Sequence, residues 1–123
     1  MPNSDEAGWL AGLLDSKGRI LITRSKDDGY QLLVMLRGPT ATLKKCQSLF
    51  GGKRGRTCWK VEGREAKLLL CRVQAALVEK REHAAAALLF PAGSSPRARA
   101  VQEVCYRTLR ILNRCGLTTA CES

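Results

Sequence analysis

Most side chains in this sequence that could do chemistry are cationic. The 123 residues include 21 Lys and Arg against 11 Asp and Glu, a formal net charge of +10. There is one histidine, His83, and the six cysteines form no Cys-x-x-Cys pair, so we expect no structural zinc. A balance this basic favours a polyanionic partner over a small substrate. Aromatic residues make up only 5%, which argues against a module that stacks single-stranded bases on several exposed rings.

The basic residues follow the alternation of predicted strands. Period-two patterns in residues 19–25, 30–37 and 53–62 predict strands with an apolar inner face and a basic outer face. The residues predicted for the outer face are Arg19, Leu21, Thr23, Ser25, Gln31, Leu33, Met35, Arg37, Lys53, Arg54, Arg56 and Lys60. The alternative interpretation is a basic surface that contacts only solvent. Exposed Leu33 and Met35 among arginines favour instead a surface that contacts bases.

The elements that must position this face are predicted from apolar spacing. The pattern indicates an α+β fold with the order α-ββ-α-ββ-α-α-α, in a single domain over residues 1–123. The first two strands are joined by a turn at 26–29. The third helix is predicted to keep its apolar stripe through Ala76 and Leu77. The apolar stripe predicted for the last helix comprises Val101, Val104, Cys105, Thr108, Leu109 and Leu112.

The cysteines and the hydropathy pattern bear on location. Cys46, Cys71 and Cys105 fall on the apolar stripes of predicted helices, so we interpret them as reduced core residues of an intracellular protein. No run approaches the ~20 apolar residues of a membrane span, and the start of the chain is polar and acidic, unlike a signal peptide. We therefore expect no membrane partner and an intracellular location, and the sequence leaves open an organelle (chloroplast or mitochondrion) or the nucleus.

Small residues line one face of the first helix. Ala7, Gly8, Ala11 and Gly12 stand at i, i+1, i+4 and i+5, which makes a flat face that another backbone can approach closely. The face could pack on the chain's own sheet or on a second copy of the chain.

The segment Leu10-Ala-Gly-Leu-Leu-Asp-Ser-Lys-Gly18 resembles the motif that names the LAGLIDADG homing endonuclease family. Three further family-like segments follow in the family's order: Phe50-Gly-Gly52, Trp59-Lys-Val61 and Leu77-Val-Glu-Lys-Arg81. The tail at 95–113 is similar to the C-terminal helix of the single-motif subfamily, whose members are homodimers. The resemblance implies a saddle-shaped antiparallel sheet, with additional C-terminal helices, whose strands lie in the DNA major groove. There Arg, Gln and Thr can read base edges, while Leu or Met can contact thymine methyls.

The motif departs from the family at its catalytic position. Family nucleases hold divalent metal ions with the acid in the motif's eighth place, which is Lys17 here. An ammonium cannot coordinate Mg²⁺ and would attract phosphate instead. The resemblance gives Asp15 a mainly structural part, and Lys80 matches a basic residue near the scissile phosphates. We therefore expect no catalytic residue and no cofactor, with Mg²⁺ needed only by an active nuclease.

Together these features predict a DNA-binding protein derived from a homing endonuclease, a homodimer that pairs through Ala7, Gly8, Ala11 and Gly12. We expect it to bind a pseudo-palindromic double-stranded DNA site sequence-specifically and not to cleave it. Two alternatives stay open, because the family implies both. One is an active metal-dependent homing endonuclease with altered metal ligation. The other is an RNA-binding, maturase-like intron splicing factor, since net charge alone cannot separate duplex DNA from structured RNA.

Overall fold

The computed structural model describes residues 4–25 and 29–122, with the backbone alone for Ser4, Ser25 and 115–122. The predicted turn at 26–29 therefore lies mostly outside the described residues. The helices are α1 (Ser4–Lys17), α2 (Thr40–Phe50), α3 (Gly63–Val73), α4 (Arg81–Leu88) and α5 (Pro96–Glu122). The strands are β1 (Gly18–Ser25), β2 (Gly29–Arg37), β3 (Lys53–Arg54) and β4 (Cys58–Glu62). None of the helices in this part of the chain is long and apolar enough to cross a membrane.

The four strands form one antiparallel sheet in the order β1-β2-β4-β3. Its register pairs Ile20 with Val34 and Val34 with Val61, so the β-branched residues predicted for the inner face meet across three strands. The inner-face residues that are buried are Ile20, Ile22, Leu32, Val34, Leu36, Trp59 and Val61. All described helices contribute to the core on this side, which confirms the predicted α+β class and element order.

A pair of glycines turns the chain from α2 into β3. Gly51 and Gly52 both have positive φ, 77° and 86°, and a Cβ on Gly52 would lie 2.7 Å from the Lys60 carbonyl oxygen. The Gly51 carbonyl accepts a hydrogen bond from Trp59 Nε1 at 2.7 Å. Two of the family-like segments, Phe50-Gly-Gly52 and Trp59-Lys-Val61, are therefore one structural unit.

The third helix ends earlier than its apolar spacing predicts. A 3₁₀ turn at Gln74–Ala76 follows α3, and Leu77 is extended, with φ −74° and ψ 140°. Leu77 is buried as expected, but Ala76 is exposed, so its predicted place on the buried stripe is wrong. The cause is a long-range contact. The carboxylate of Asp15 accepts hydrogen bonds from the backbone N–H groups of Val78 and Lys80, just beyond this point, and these bonds hold the segment against the end of α1.

The buried face of α5 also differs from the prediction. Val101 and Val104 are 41% and 63% exposed, whereas Gln102 is buried beside Cys105 and Leu109. The Gln102 amide donates to the carbonyl oxygens at positions 91 and 93, at 2.9 and 3.0 Å. A glutamine can be buried at little cost when its amide is hydrogen-bonded in this way, so the polar residue holds the preceding loop against the helix.

The cysteine prediction is confirmed at two positions and wrong at one. Cys46 and Cys105 are buried free thiols, and burial raises the pKa of both, that of Cys46 to about 11. They are therefore protonated and unreactive near neutral pH. Cys71 is exposed because it lies on the face of α3 opposite the buried Leu69, Leu70 and Val73.

We expect the stability of the fold to depend on pH through His83. Its ring is 9% exposed, its Nδ1 has no hydrogen-bond partner, and burial, with the charge of Lys80 second, lowers its pKa below the ordinary 6.5. Below pH 6.5 His83 becomes protonated in the unfolded chain, whereas in the folded chain it stays neutral down to its lower folded-state pKa. The free energy of unfolding should therefore fall by up to about 1.4 kcal/mol per pH unit until the folded-state pKa is reached.

Denaturant unfolding at pH values from about 7 down to about 5 measures this dependence. The variant His83→Leu should flatten the curve in that window, because it removes the titrating group. An unchanged slope in His83→Leu would assign the pH dependence to other groups.

Candidate nucleic-acid interface

The outer face of the sheet carries a row of side chains across all four strands. Arg19 pairs with Met35, Met35 with Lys60, and Lys60 with Lys53. Paired residues share a face, so the row has a cation at each end, Arg19 and Lys53. The thioether of Met35 and the ammonium of Lys60 lie between them. A second row contains Leu21, Leu33 and Glu62, and a third contains Thr23 and Gln31. The residues of the predicted face with exposed side chains are Arg19, Thr23, Gln31, Arg37, Lys53, Arg54 and Arg56.

Apolar side chains lie half-buried between these charges. Leu21, Leu33 and Met35 are each of intermediate exposure on the face that points away from the helices. Arg37 stands at the end of β2, opposite Cys58. The side chain of Ser25 lies outside the described residues. The surface thus offers apolar contact at its centre and hydrogen-bond donors around it.

Arg54 does not belong to this face. It pairs with the buried Trp59, and its Nε donates to Gln47 Oε1 of α2 at 3.3 Å, so its side chain lies on the helix side of the sheet. The prediction placed it outside together with the adjacent Lys53 because both are basic, but neighbouring strand residues point to opposite faces. Arg56 lies in the turn between β3 and β4, where period two no longer applies.

A carboxylate on the outer face was missed. Glu62 Oε2 accepts a hydrogen bond from Gln31 Nε2 at 3.2 Å, and Glu62 Oε1 lies 3.7 Å from the Lys60 ammonium. Its position, two residues after Lys60 on β4, was enough to place it on this face.

A second basic surface was also missed, at the β1 edge of the sheet. Arg19, Leu21, Tyr106 and Arg110 are among the residues that line a cavity of about 320 Å³ between β1 and α5. The guanidinium of Arg110 lies 5.7 Å from the Tyr106 ring centre, and Asn113 Nδ2 donates to the Ile20 carbonyl. Helix α5 therefore extends the basic outer face around the sheet edge.

The end of α1 is built around Asp15. Its Oδ2 accepts from the backbone N–H of Val78 and its Oδ1 from that of Lys80, both at 2.9 Å. The Lys80 ammonium donates to the Asp15 carbonyl oxygen at 3.3 Å. Lys17 is exposed at the last position of α1, two residues before Arg19. The site thus brings Asp15 and Lys80 together and leaves Lys17 facing solvent.

The small residues of α1 divide between two faces. Ala11 is fully buried in the chain's own core and Ala7 packs against that core, so neither forms part of an exposed flat face. Gly8 and Gly12 are exposed, and a Cβ built on either would meet nothing within 4 Å. The Ser16 hydroxyl donates to the Gly12 and Leu13 carbonyl oxygens. The exposed residues among the described side chains of α1 are Asp5, Gly8, Gly12, Ser16 and Lys17, and we call the line of Gly8, Gly12 and Ser16 the exposed face of α1.

No protein-family model and no curated protein sequence matches the chain. Solved structures match the chain in fold. One is the homing endonuclease I-CvuI in complex with its target (Sro1.3) in the presence of 2 mM Ca, with a TM-score of 0.77 and 20% sequence identity. That match covers 89% of this chain and 82% of the other. A second is I-CvuI in complex with the I-CreI target (C1221) in the presence of 2 mM Mg, with the DNA not cleaved. Its TM-score is 0.73 at 21% identity, over 86% of this chain and 80% of the other.

This chain has the homing endonuclease fold. The likeness covers most of the chain's length, so it supports the LAGLIDADG-like architecture that the nonapeptide predicts. Leu10, Ala11 and Leu14 of that nonapeptide are fully buried, and Gly12 is exposed.

The homing endonuclease fold raises the question of a divalent cation, and the residues at the end of α1 do not fit one. Both carboxylate oxygens of Asp15 accept backbone N–H groups, and the motif's eighth position holds the ammonium of Lys17. Across the described residues, no group of three or more His, Cys, Asp or Glu is placed to hold a metal ion. Hard cations need several oxygen ligands, and one carboxylate that already accepts two backbone N–H groups does not supply them, so the residues present do not fit the ion.

Proposed function

We propose that this protein is a homodimeric, sequence-specific double-stranded DNA-binding protein that does not cleave its site. The observation that carries the proposal is the outer face of the sheet. It presents the row Arg19, Met35, Lys60 and Lys53 and the half-buried Leu21 and Leu33 on one surface. A cationic surface with ordered polar and apolar side chains can bind phosphates and base edges together.

The structural neighbours support duplex DNA as the partner. I-CvuI, which has the same fold, is described in complex with its target. A two-stranded β-ribbon fits the major groove, and β1 and β2 form a ribbon of eight residue pairs here. The arginines of α5 beside β1 would add phosphate contacts at the edge.

The exposed face of α1 supports a dimer. Gly8, Gly12 and Ser16 recur every four residues, and the Ser16 hydroxyl is already bonded within its own helix. A second helix can approach such a face closely, because the two glycines carry no side chain. Pairing of identical faces is isologous and closes at two copies, which suits a pseudo-palindromic site.

Binding should depend strongly on salt and on single arginines of the outer face. A dimer that neutralises about 8 to 10 phosphates should show a log–log salt slope of about −7 to −9. If Arg19 or Arg37 contacts guanine through both of its nitrogens, substitution by Ala should cost about 1 to 3 kcal/mol and relax the preference at one position per half-site. Selection from randomised duplex DNA, followed by titration at several salt concentrations, measures both effects.

The chain offers a matched control in Arg54→Ala. This variant removes the same charge from the same sheet, but the Arg54 guanidinium bonds Gln47 on the helix side. It should leave base preference unchanged. Equal losses in the Arg19, Arg37 and Arg54 variants, or tighter binding of structured RNA than of any selected duplex, would contradict the proposed DNA-reading face.

A further inference from the structure

The amide of Gln31 is held in one orientation. Its Nε2 donates to Glu62 Oε2 at 3.2 Å. An ionised carboxylate can only accept, so the NH₂ end of the amide must face Glu62 and the carbonyl oxygen must point away. One hydrogen of the NH₂ group is used in this bond. The carbonyl oxygen and the second hydrogen remain as an adjacent acceptor and donor.

Glu62 is held in turn by Lys60. The Lys60 ammonium lies 3.7 Å from Glu62 Oε1, so the two carboxylate oxygens have different partners. The Glu62 side chain is 29% exposed. A lone carboxylate would repel phosphates on this cationic surface, and the neighbouring ammonium offsets that repulsion. The three side chains form a chain from β4 to β2 that fixes Gln31.

We propose that Glu62 is a positioning residue that makes Gln31 select adenine, at one position in each half-site of the DNA. This rests on the proposed function. Adenine presents an acceptor, N7, beside a donor, the N6 amino group, in the major groove, which matches the acceptor and donor left on the Gln31 amide. Guanine presents two acceptors, N7 and O6, so the fixed carbonyl oxygen of Gln31 would face O6 and repel it.

The orientation depends on a group that can only accept. In Glu62→Gln the new side chain can donate or accept, so the Gln31 amide can turn over and bond guanine or thymine acceptors. We expect the wild type to prefer adenine over guanine at this position by about 5- to 150-fold, the range of a good bidentate contact. Glu62→Gln should lower that ratio by at least about fivefold and leave the other positions unchanged.

The matched control is Glu65→Gln. Glu65 lines the same surface depression as Lys60 and Glu62 and carries the same charge, but it is not the residue that accepts from Gln31. Both variants lose one negative charge, so any general gain in affinity for DNA should be equal. Only the change at a single base position separates orientation of Gln31 from a purely electrostatic or structural role.

The probe is a randomised duplex DNA pool, followed by competition between selected duplexes that differ only by adenine or guanine. Gln31→Leu identifies the base position that depends on Gln31, because the preference for adenine should disappear at that position in this variant. Thermal unfolding of each variant checks that the fold is intact. A Glu62→Gln ratio equal to that of Glu65→Gln would overturn the proposal, as would selection of a base other than adenine at the position that depends on Gln31. If the wild type selected no duplex sequence at all, the proposed function itself would fail.

Discussion

Duplex DNA bound by this protein should remain intact in millimolar Mg²⁺ or Mn²⁺. Hydrolysis of a phosphodiester at neutral pH needs a cation to activate water and stabilise the leaving oxygen, and carboxylates must hold that cation. Lys17 places an ammonium where the resemblance predicts the ligand, and both oxygens of Asp15 are bonded to backbone N–H groups. Gel analysis of the bound site after prolonged incubation measures cleavage, with nicking scored separately on supercoiled plasmid.

Lys17 should strengthen DNA binding in the absence of metal. In a dimer, Lys17→Asp replaces two positive charges with two negative charges near phosphates. We expect affinity at low salt to fall at least about tenfold, ~1.4 kcal/mol, and the salt slope to become shallower by about two units. Lys17→Met separates the loss of attraction from the added repulsion, because it removes the charge without adding a carboxylate. Its affinity should lie between those of the wild type and Lys17→Asp.

Cleavage by the wild type would contradict the proposal that the protein binds its site without cleaving it. If Mg²⁺ supported cutting that survived Lys17→Met, the metal ligands would have to lie elsewhere in the chain. If Lys17→Asp bound DNA as tightly as the wild type, Lys17 would not face phosphate. Titration of Lys17→Asp with Mg²⁺ adds a separate readout, since a restored carboxylate should make DNA binding respond to the cation.

Period-two alternation predicted the faces of the long strands because each position depends only on its neighbours in sequence. Ile20, Leu32 and Val34 are buried, and Leu33 and Met35 lie on the outer face. The rule also holds in β3, where Lys53 faces outward and Arg54 inward. The prediction was wrong at Arg54 because it placed both neighbours on the outer face by their charge, although adjacent strand residues point to opposite faces.

The ends and faces of helices depended on contacts between residues far apart in sequence. Apolar spacing alone could not show that Asp15 would bond the N–H groups of Val78 and Lys80, 63 and 65 residues away, and so end the helical run before Leu77. Nor could it show that Gln102 would be buried in place of Val101. In each case a polar group with a hydrogen-bond partner either ended a helix or took a buried position. The hydrophobic pattern alone does not predict such hydrogen bonds.

The nonapeptide likewise predicted only part of the site that the structure shows. It places Asp15 and Lys17 at one end of α1, and the structure confirms that placement. The partner of Asp15 and the Glu62–Gln31 bond arise from the packing of strands and loops, and both bear directly on the proposed chemistry.

Substitution of Gly12 by leucine should convert the proposed dimer into a monomer and weaken DNA binding by at least about 100-fold. Two linked half-site contacts gain their affinity from a shared site, and that gain of about 10² to 10⁴ is lost when the subunits separate. Light scattering of the free proteins and titration with a full two-half-site duplex measure the two effects. A single half-site duplex should bind the wild type and the variant almost equally, because each subunit keeps its own outer face.

The structure makes this substitution a clean test of the interface. A Cβ at Gly12 meets nothing within 4 Å, so leucine fits the isolated chain, and it favours the helix over glycine by about 0.8 to 1 kcal/mol. The variant chain should therefore still unfold cooperatively in denaturant, although it lacks the stabilisation that association gives the wild-type dimer. Ser48→Leu is the control, since it adds a leucine at an exposed position of α2, away from the proposed pairing face. A monomeric wild type, or a Gly12→Leu protein that stays dimeric, would show that the exposed face of α1 does not join two copies, and the DNA would then have to be read by one sheet alone.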